Sequence, residues 1–259
     1  VKVLIKLGGT LLDAPVSRAA LAAQIAALPA QGVQAVVVHG GGKQMTRFLA
    51  ERGVESRFVN GLRVTSPDVI DAVLKVFTGS VNKELTASLI AAGALAVGIS
   101  GIDAALAEAR QLSEELGAVG SIVKTNPGLL NTLVAGGFLP VVACVAGDRQ
   151  GNIYNVNADQ MAVACAAGYQ AERLLFLTDV TGVRGADGAN ISQLSRSGAL
   201  ALIEQGVATG GMQAKLNSAV AALDQGVPSV VIAAGAEPGI VARLLSGEAL
   251  GTTIVRDAA

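Results

Sequence analysis

Apolar and polar positions alternate along Val1-Lys2-Val3-Leu4-Ile5-Lys6-Leu7 in the manner of a strand, and Gly8-Gly9 follow at once. A helix predicted from about Val16 to Ala30 carries Leu21, Ile25 and Leu28 on one face. The chain then enters the β-branched run Val36-Val37-Val38-His39, which reads as a buried strand and stops at Gly40-Gly41-Gly42-Lys43. This is a βαβ unit with glycines after both strands.

The same alternation of apolar runs and punctuation continues. Ser66-Pro67-Asp68 combines an N-cap residue, a proline at the first helical position and an acid in the first turn, and predicts a long helix to about Ala91. Gly93 to Ile99 predicts a strand closed by Ser100-Gly101, and residues 114–120 an excursion or hairpin. Asn126-Pro127 starts a helix that ends at Gly136-Gly137. Phe138 to Val145 is the next strand, with Pro140 at its first paired residue or at a bulge. Asn157 and Gln160 have capping-box spacing ahead of an Ala-rich helix ending at Gly168. Strands at Arg173 to Leu177, Pro228 to Ala233 and Gly251 to Arg256 follow, with a helix from Gly210-Gly211 to about Gln225.

Strand after strand therefore ends in Gly, Asp or Ser before its helix. In an open, mostly parallel sheet such ends share one edge, where ligands bind. Gly8-Gly9, Gly40-Gly41-Gly42, Ser100-Gly101 and Asp179 are expected to converge there.

Composition supports α/β layers. Hydrophobic residues make up 51% of the 259 positions and glycines number 32, while aromatics are 3%, so Ala, Val, Leu and Ile must pack closely through small residues. The net charge of -1 gives no electrostatic reason to expect nucleic acid or an anionic membrane as partner. No apolar stretch reaches membrane-spanning length and no signal peptide precedes the first strand, so a cytoplasmic protein is expected. Cys144 and Cys165 read as buried free thiols. With His39 the single histidine, a histidine-built zinc site is not expected, and no protein-held metal is expected.

The triple glycine carries the first chemical signal. Backbone N–H groups without Cβ cover, followed by a helix start at Lys43 or just after it, suit a phosphate or a carboxylate, although a sharp strand-to-helix turn also collects glycines. Neither G-x-x-x-x-G-K-[ST] nor G-x-G-x-x-G fits, since Met45 stands where the last glycine would be. Lys6, Lys43 and Lys215 each lie near a glycine pair, and lysines across a glycine-lined crevice suit phosphoryl transfer, which depends on positioning and charge neutralisation. Arg63 sits on a loop fixed by the helix start at Ser66, where its planar fork is a fair carboxylate ligand. Asp159 falls in the first turn of its helix, which the helix dipole alone would explain.

Taken in order, Lys6-Leu7-Gly8-Gly9, His39-Gly40-Gly41-Gly42, Asn60-Gly61-Leu62-Arg63, Val81-Asn82-Lys83-Glu84-Leu85, Asn155-Val156-Asn157-Ala158-Asp159, Thr178-Asp179-Val180-Thr181-Gly182 and Gly210-Gly211-Met212 with Lys215 resemble the N-acetylglutamate kinases of the amino acid kinase family. The likeness spans nearly the whole chain. It implies a three-layer αβα sandwich around an open, mainly parallel sheet shared by two lobes. The lobe of residues 1–170 would bind the acyl amino acid and dimerise, and that of residues 171–259 would bind ATP. It implies ATP-dependent phosphorylation of the side-chain carboxylate of N-acetyl-L-glutamate in arginine biosynthesis. Lys6 and Lys215 would stabilise the transition state, and Asp159 would hold both. Gly41, Gly42, Arg63 and Asn155 would bind the acetylated amino acid, with Arg63 on its α-carboxylate. Gly8, Gly9, Asp179, Val180, Thr181, Gly182, Gly210 and Met212 would serve the nucleotide, which carries Mg²⁺ with it.

The chemistry is consistent with a single histidine, since a carboxylate nucleophile is already ionised at neutral pH and needs no general base. After Gly101 the family often continues with a lysine, an aspartate and glycines, whereas Ile102-Asp103-Ala104-Ala105 stands here. No helical extension precedes the first strand of this sequence. In the family that extension accompanies arginine-inhibited hexamers, so an arginine-insensitive homodimer is expected. Competing readings are a kinase for acetyl-aminoadipate, whose extra methylene a pocket distinguishes by only about 1–3 kcal/mol, or for a carrier-linked amino acid, and a non-catalytic nucleotide or amino-acid sensor. A nicotinamide-dependent dehydrogenase would share the sheet but lacks its glycine fingerprint.

Overall fold

The computed structural model describes residues 1–257. The chain opens with β1 (Lys2–Leu7), α1 (Gly9–Asp13), α2 (Pro15–Ala26), β2 (Gln34–His39) and α3 (Gly42–Ala50). A short hairpin, β3 (Phe58–Val59) and β4 (Leu62–Arg63), leads into α4 (Pro67–Val73). A π-helical stretch, Leu74–Val81, joins this helix to α5 (Asn82–Ala91). Next come β5 (Ala96–Ser100), β6 (Ala107–Gln111), β7 (Val119–Thr125), α6 (Gly128–Ala135), β8 (Leu139–Ala143), β9 (Val145–Gly147), β10 (Ile153–Val156) and α7 (Ala158–Tyr169). The remainder is β11 (Arg173–Thr178), β12 (Val183–Arg184), β13 (Asn190–Ile191), β14 (Gln193–Ser195), α8 (Arg196–Glu204), α9 (Gly210–Asp224), β15 (Ser229–Ala234), α10 (Ile240–Leu245) and β16 (Thr252–Val255).

Eight strands form one sheet in the order β14-β16-β15-β11-β1-β2-β8-β5. All neighbours run parallel except β15 and β16. Helices α6 to α9 pack on one face, and α2, α5 and α10 belong to the layer on the other, which completes the expected three layers. The central strands are buried along almost their whole length, as a doubly covered parallel sheet requires, and so lack polar alternation. Each fully buried Leu or Ile in them contributes roughly 1.5–3 kcal/mol. The chain leaves β1 toward β2 on one side and returns to β11 on the other. The strand order reverses at β1, so a crevice opens at its carboxyl end.

Several boundaries differ from expectation. The second helix stops at Ala26, and Pro29–Gln31 form a separate 3₁₀ turn, because Pro29 cannot continue an α-helix. Ser66 occupies the N-cap position of α4 without a side-chain capping bond. The long helix to Ala91 is present, and its π stretch turns Phe77 and Val81 toward the glycine loop after β2. Pro140 lies inside β8, where pairing with β2 begins only at Val141. Residues 107–125 form the hairpin, whose strands close with β9 and β10 into a small four-stranded barrel that the sequence pattern did not reveal. Ser100-Gly101 do not join the other strand ends in the crevice, because β5 is the outermost strand, two removed from the β2 end. The Ser100 hydroxyl and N–H instead donate to the Asp103 carboxylate at 2.8 and 2.6 Å.

Candidate active site

Three elements bring their charges to one point. Lys6 is the second-last residue of β1, and Gly8 beyond it is still extended, its N–H continuing the ladder to Leu177 O of β11 at 2.9 Å before α1 begins at Gly9. Asp159 lies in the first turn of α7, whose N-cap Asn157 accepts from the N–H groups of Asp159 at 2.8 Å and Gln160 at 3.3 Å. Lys215 lies in the second turn of α9. The Lys6 ammonium is 2.6 Å from Asp159 Oδ1, an ion pair without regular hydrogen-bond angles, and Lys215 Nζ is 3.5 Å from Oδ2. Burial pushes the Asp159 carboxyl up, but the two ammonium groups outweigh it and hold the group below the usual carboxylate range. One carboxylate therefore restrains two cations from opposite sides.

The crevice above this bridge has a volume of about 660 Å³, and its walls include Lys6, Gly8, Gly9, Gly42, Lys43, Arg63, Asp179 and Lys215. Helix α3 begins at Gly42, one residue earlier than expected. Among the described residues the N–H groups of Gly41 and Gly42 have no protein acceptor, and they stand at the positive end of α3. Gly41 sits in little space: a Cβ there would lie 3.0 Å from the Phe77 ring and 3.2 Å from Val81, so a larger residue would press on both side chains.

Arg63 is buried without a carboxylate partner among the described residues. Its guanidinium donates to Ser56 Oγ, to Gly42 O at 3.2 Å and to Thr46 Oγ1 at 2.8 Å, and stacks on Phe58 with 4.6 Å to the ring centre. Three of five N–H groups are thus committed and the rest are free. Asn155 on β10 donates to Thr65 Oγ1 at 3.1 Å, and Thr65 donates to Arg63 O at 2.8 Å, so its carboxamide is tied to the Arg63 backbone.

The other expected residues divide. Gly8, Gly9 and Asp179 line the crevice, and Thr178 Oγ1 donates to the Asp179 carboxylate at 3.0 Å. Thr181 lines a separate cleft of about 390 Å³ with Asn190, Glu237 and Leu250. Gly182 abuts β16, where a Cβ would meet Thr252 Oγ1 at 2.9 Å. Val180 is exposed on the loop beside them. Gly210, at φ +54°, and half-buried Met212 open α9 without lining the crevice, and they contribute by starting the helix that presents Lys215. Behind the bridge, Asp159 also borders a cleft of about 670 Å³ between β7, α7 and α9. Sequence reasoning missed Ser56, Thr46, Phe58 and Thr65 around Arg63. For Thr46 a signal existed, since Lys43, Thr46, Arg47 and Ala50 follow the i, i+3, i+4, i+7 spacing of one helix face and all four line the crevice. Among the described residues no three metal-ligating side chains cluster, and no helix is long and apolar enough to cross a membrane.

A doubly wound sheet with glycine turns and two lysines on one carboxylate at its switch point defines a phosphoryl-transfer enzyme. The sequence profile of the amino acid kinase family matches residues 1–234, and the chain belongs to that family. It is 62% identical to the acetylglutamate kinase of Solibacter usitatus over 254 residues, covering 98% of this chain and 99% of that one. It is 39% identical to the acetylglutamate kinase of Bartonella tribocorum, covering 98% and 89%. Among solved structures it resembles N-acetylglutamate synthase from Neisseria gonorrhoeae, complexed with coenzyme A and N-acetyl-glutamate, with a TM-score of 0.89 and 28% identity. All of this chain is covered in that match, but it spans only 60% of the synthase.

Proposed function

We propose that the crevice transfers the γ-phosphoryl group of ATP to the side-chain carboxylate of N-acetyl-L-glutamate through the residues it brings together. The chain is an acetylglutamate kinase of arginine biosynthesis, and as a kinase it uses ATP. The observation that carries the assignment of roles is the Lys6–Asp159–Lys215 bridge.

The reaction brings an anion toward a polyanion. A carboxylate oxygen of the substrate attacks the γ-phosphorus as the bond from that phosphorus to the bridging β-oxygen breaks, giving an acyl phosphate and ADP. No proton needs to be removed from the nucleophile. Lys6 and Lys215 lower the repulsion from opposite sides, and Asp159 keeps both ammonium groups aimed while compensating one of their two charges. The N–H groups of Gly41 and Gly42 receive the reacting carboxylate. The free donors of Arg63 take the α-carboxylate as a fork, with Asn155 beside it. Gly8 and Gly9 let backbone approach the phosphates, and residues 179–182, with Gly210 and Met212 at the start of α9, shape the nucleotide side. Mg²⁺, carried by the phosphates, would add charge neutralisation. Asp179, a crevice carboxylate without an ion pair among the described residues, is the group that fits it.

The lobe of residues 1–170 supplies β1, β2 and the Arg63 loop to the acyl amino acid, and the lobe of residues 171–259 supplies β11, α9 and the Thr181 cleft to ATP. A homodimer is supported by the open edge of the sheet at β5, near exposed Ile90, Leu95 and Phe138. A cytoplasmic location accords with the small-molecule substrates. ADP release from MgATP, followed with N-acetylglutamate, glutamate and N-acetyl-aminoadipate in parallel and with hydroxylamine trapping of the acyl phosphate, tests the reading. Release selective for N-acetylglutamate supports it, and release with aminoadipate in preference overturns the substrate.

A further inference from the structure

His39 borders the glycine loop yet has no part in the chemistry above. It ends β2, is wholly buried, and has no charged partner among the described residues. Its Nδ1 lies 2.8 Å from the carbonyl oxygen of Gly40. A carbonyl only accepts, so Nδ1 carries the proton and Nε2 presents a lone pair. That lone pair accepts from Asn82 Nδ2 at 3.0 Å, and the same amide donates to Val141 O at 2.9 Å. The ring is thereby fixed between α5 and β8. Gly98 makes the arrangement possible, since a Cβ there would lie 2.1 Å from Asn82 Oδ1. Burial pushes the imidazole pKa down to about 4, which keeps the ring neutral and its single N–H on Nδ1.

The consequence lies on the other side of the peptide. No peptide bond among the described residues is cis, and in a trans unit the carbonyl and the following N–H point in opposite directions. A Gly40 carbonyl held by the ring turns the Gly41 N–H away from it. Glycines on both sides offer little steric resistance to rotation of this unit. A rotated peptide would present a carbonyl oxygen to the anion in place of a donor.

We propose that His39 is a positioning residue whose Nδ1–H latches the Gly40 carbonyl and so holds the Gly41 N–H in the orientation that receives the reacting carboxylate. The proposal rests on the reading of the crevice given above. It also gives the Asn82 motif a purpose, because Asn82 orients the ring that orients the loop.

Two substitutions separate the latch from simple packing. In His39→Asn the side-chain amide replaces the Nδ1 donor but cannot reach Asn82. In His39→Gln the amide reaches Asn82 but not the Gly40 carbonyl. Both leave a cavity, and thermal unfolding should report similar losses. The latch predicts that H39N keeps kcat within about threefold of the native enzyme, while H39Q loses roughly 10²- to 10³-fold in kcat, the range for one lost oxyanion donor, with KM for MgATP unchanged. Equal losses in the two variants, or full turnover in H39Q, overturn it. Should the native chain phosphorylate no acetylglutamate, the reading of the site fails instead. The latch is then decided by crystal structures of the variants: a Gly40 carbonyl turned only in H39Q supports it, and one unmoved in H39Q overturns it.

Discussion

Lys6 Nζ and Asp159 Oδ1 stand 2.6 Å apart at the reversal point of the sheet, where a strand from the start of the chain meets a helix that begins more than 150 residues later. Lys215 reaches the same carboxylate from α9. The three side chains thus connect the halves of the molecule through a single buried anion. Tight pairing and loose pairing have different consequences when one cation is removed.

Lys215 is the looser and more exposed partner. Lys215→Ala should lower kcat by at least about 10²-fold, as loss of a group that meets charge in the transition state does, with little change in unfolding temperature. Lys6→Ala should lower kcat as far and also destabilise by about 3 kcal/mol, because it leaves a buried carboxylate under-compensated. Thermal unfolding beside single-turnover kinetics checks both. Near-normal turnover in either variant would remove the lysine from the mechanism.

Arg63 is positioned by Thr46, Ser56 and the Phe58 ring before any ligand arrives. Arg63→Lys keeps the charge but loses the fork, so KM for N-acetylglutamate should rise roughly 10- to 100-fold, the worth of a charged bidentate contact, with KM for MgATP little altered. Steady-state kinetics with each substrate varied separates the two. An equal rise in both constants would place Arg63 away from the α-carboxylate.

The sheet, the glycine turns and the convergence of Lys6, Gly8, Gly9, Gly42 and Asp179 were legible in the sequence because each rests on local pattern. Apolar runs mark strands, and strand ends in a parallel sheet share an edge. The position of β5 was not legible: Gly93 to Ile99 looks like any other buried strand, and only the strand order reveals that Ser100 stands away from the crevice. The small barrel escaped for a similar reason, since its strands pair across distant segments, and β7 meets β10 only at Asn155 and Val156. The environment of Arg63 depends on hydroxyls from separate elements, and no spacing rule joins Ser56 to Thr46. His39 stood out in the sequence only as the single histidine, since its bond to Asn82 spans 43 positions and becomes visible only when β2 and α5 are packed.

Acid should unfold the protein in two windows. The folded His39 pKa, about 4 against an ordinary 6.5, means that the unfolded chain takes up the proton first as pH falls. Stability is therefore full above 6.5 and declines between 6.5 and 4 by about 3 kcal/mol. Asp159 acts lower: its depressed folded pKa contributes stability that is present above its ordinary 3.8 and is lost as pH falls through the folded value. Urea unfolding at a series of pH values should show the upper decline in the native chain and a flatter profile in His39→Asn. A decline of the same size in that variant would mean that other groups cause it.

Gly41 offers a test of the loop that leaves every charge in place. Its Cβ would lie 3.0 Å from two carbons of the Phe77 ring and 3.2 Å from Val81, on the π stretch that packs beneath the loop. Gly41→Ala must displace either the ring or the loop. The ring is buried and its helix fixed, so the loop is the part that yields, and its two N–H groups leave their aim. Overpacking of this kind costs about 1–3 kcal/mol, while the misaimed donors should lower kcat by roughly 10²-fold. Shortening the obstacle should reverse the effect: Gly41→Ala with Phe77→Leu is expected to recover at least about a tenth of native turnover, although Phe77→Leu alone opens a void and costs about 1 kcal/mol. Recovery in the double variant ties the activity to loop position, since the second substitution restores no contact and only returns space. If the double variant is as inactive as Gly41→Ala, the glycine serves the ligand directly by leaving room for it, and the steric account of its packing against Phe77 is wrong.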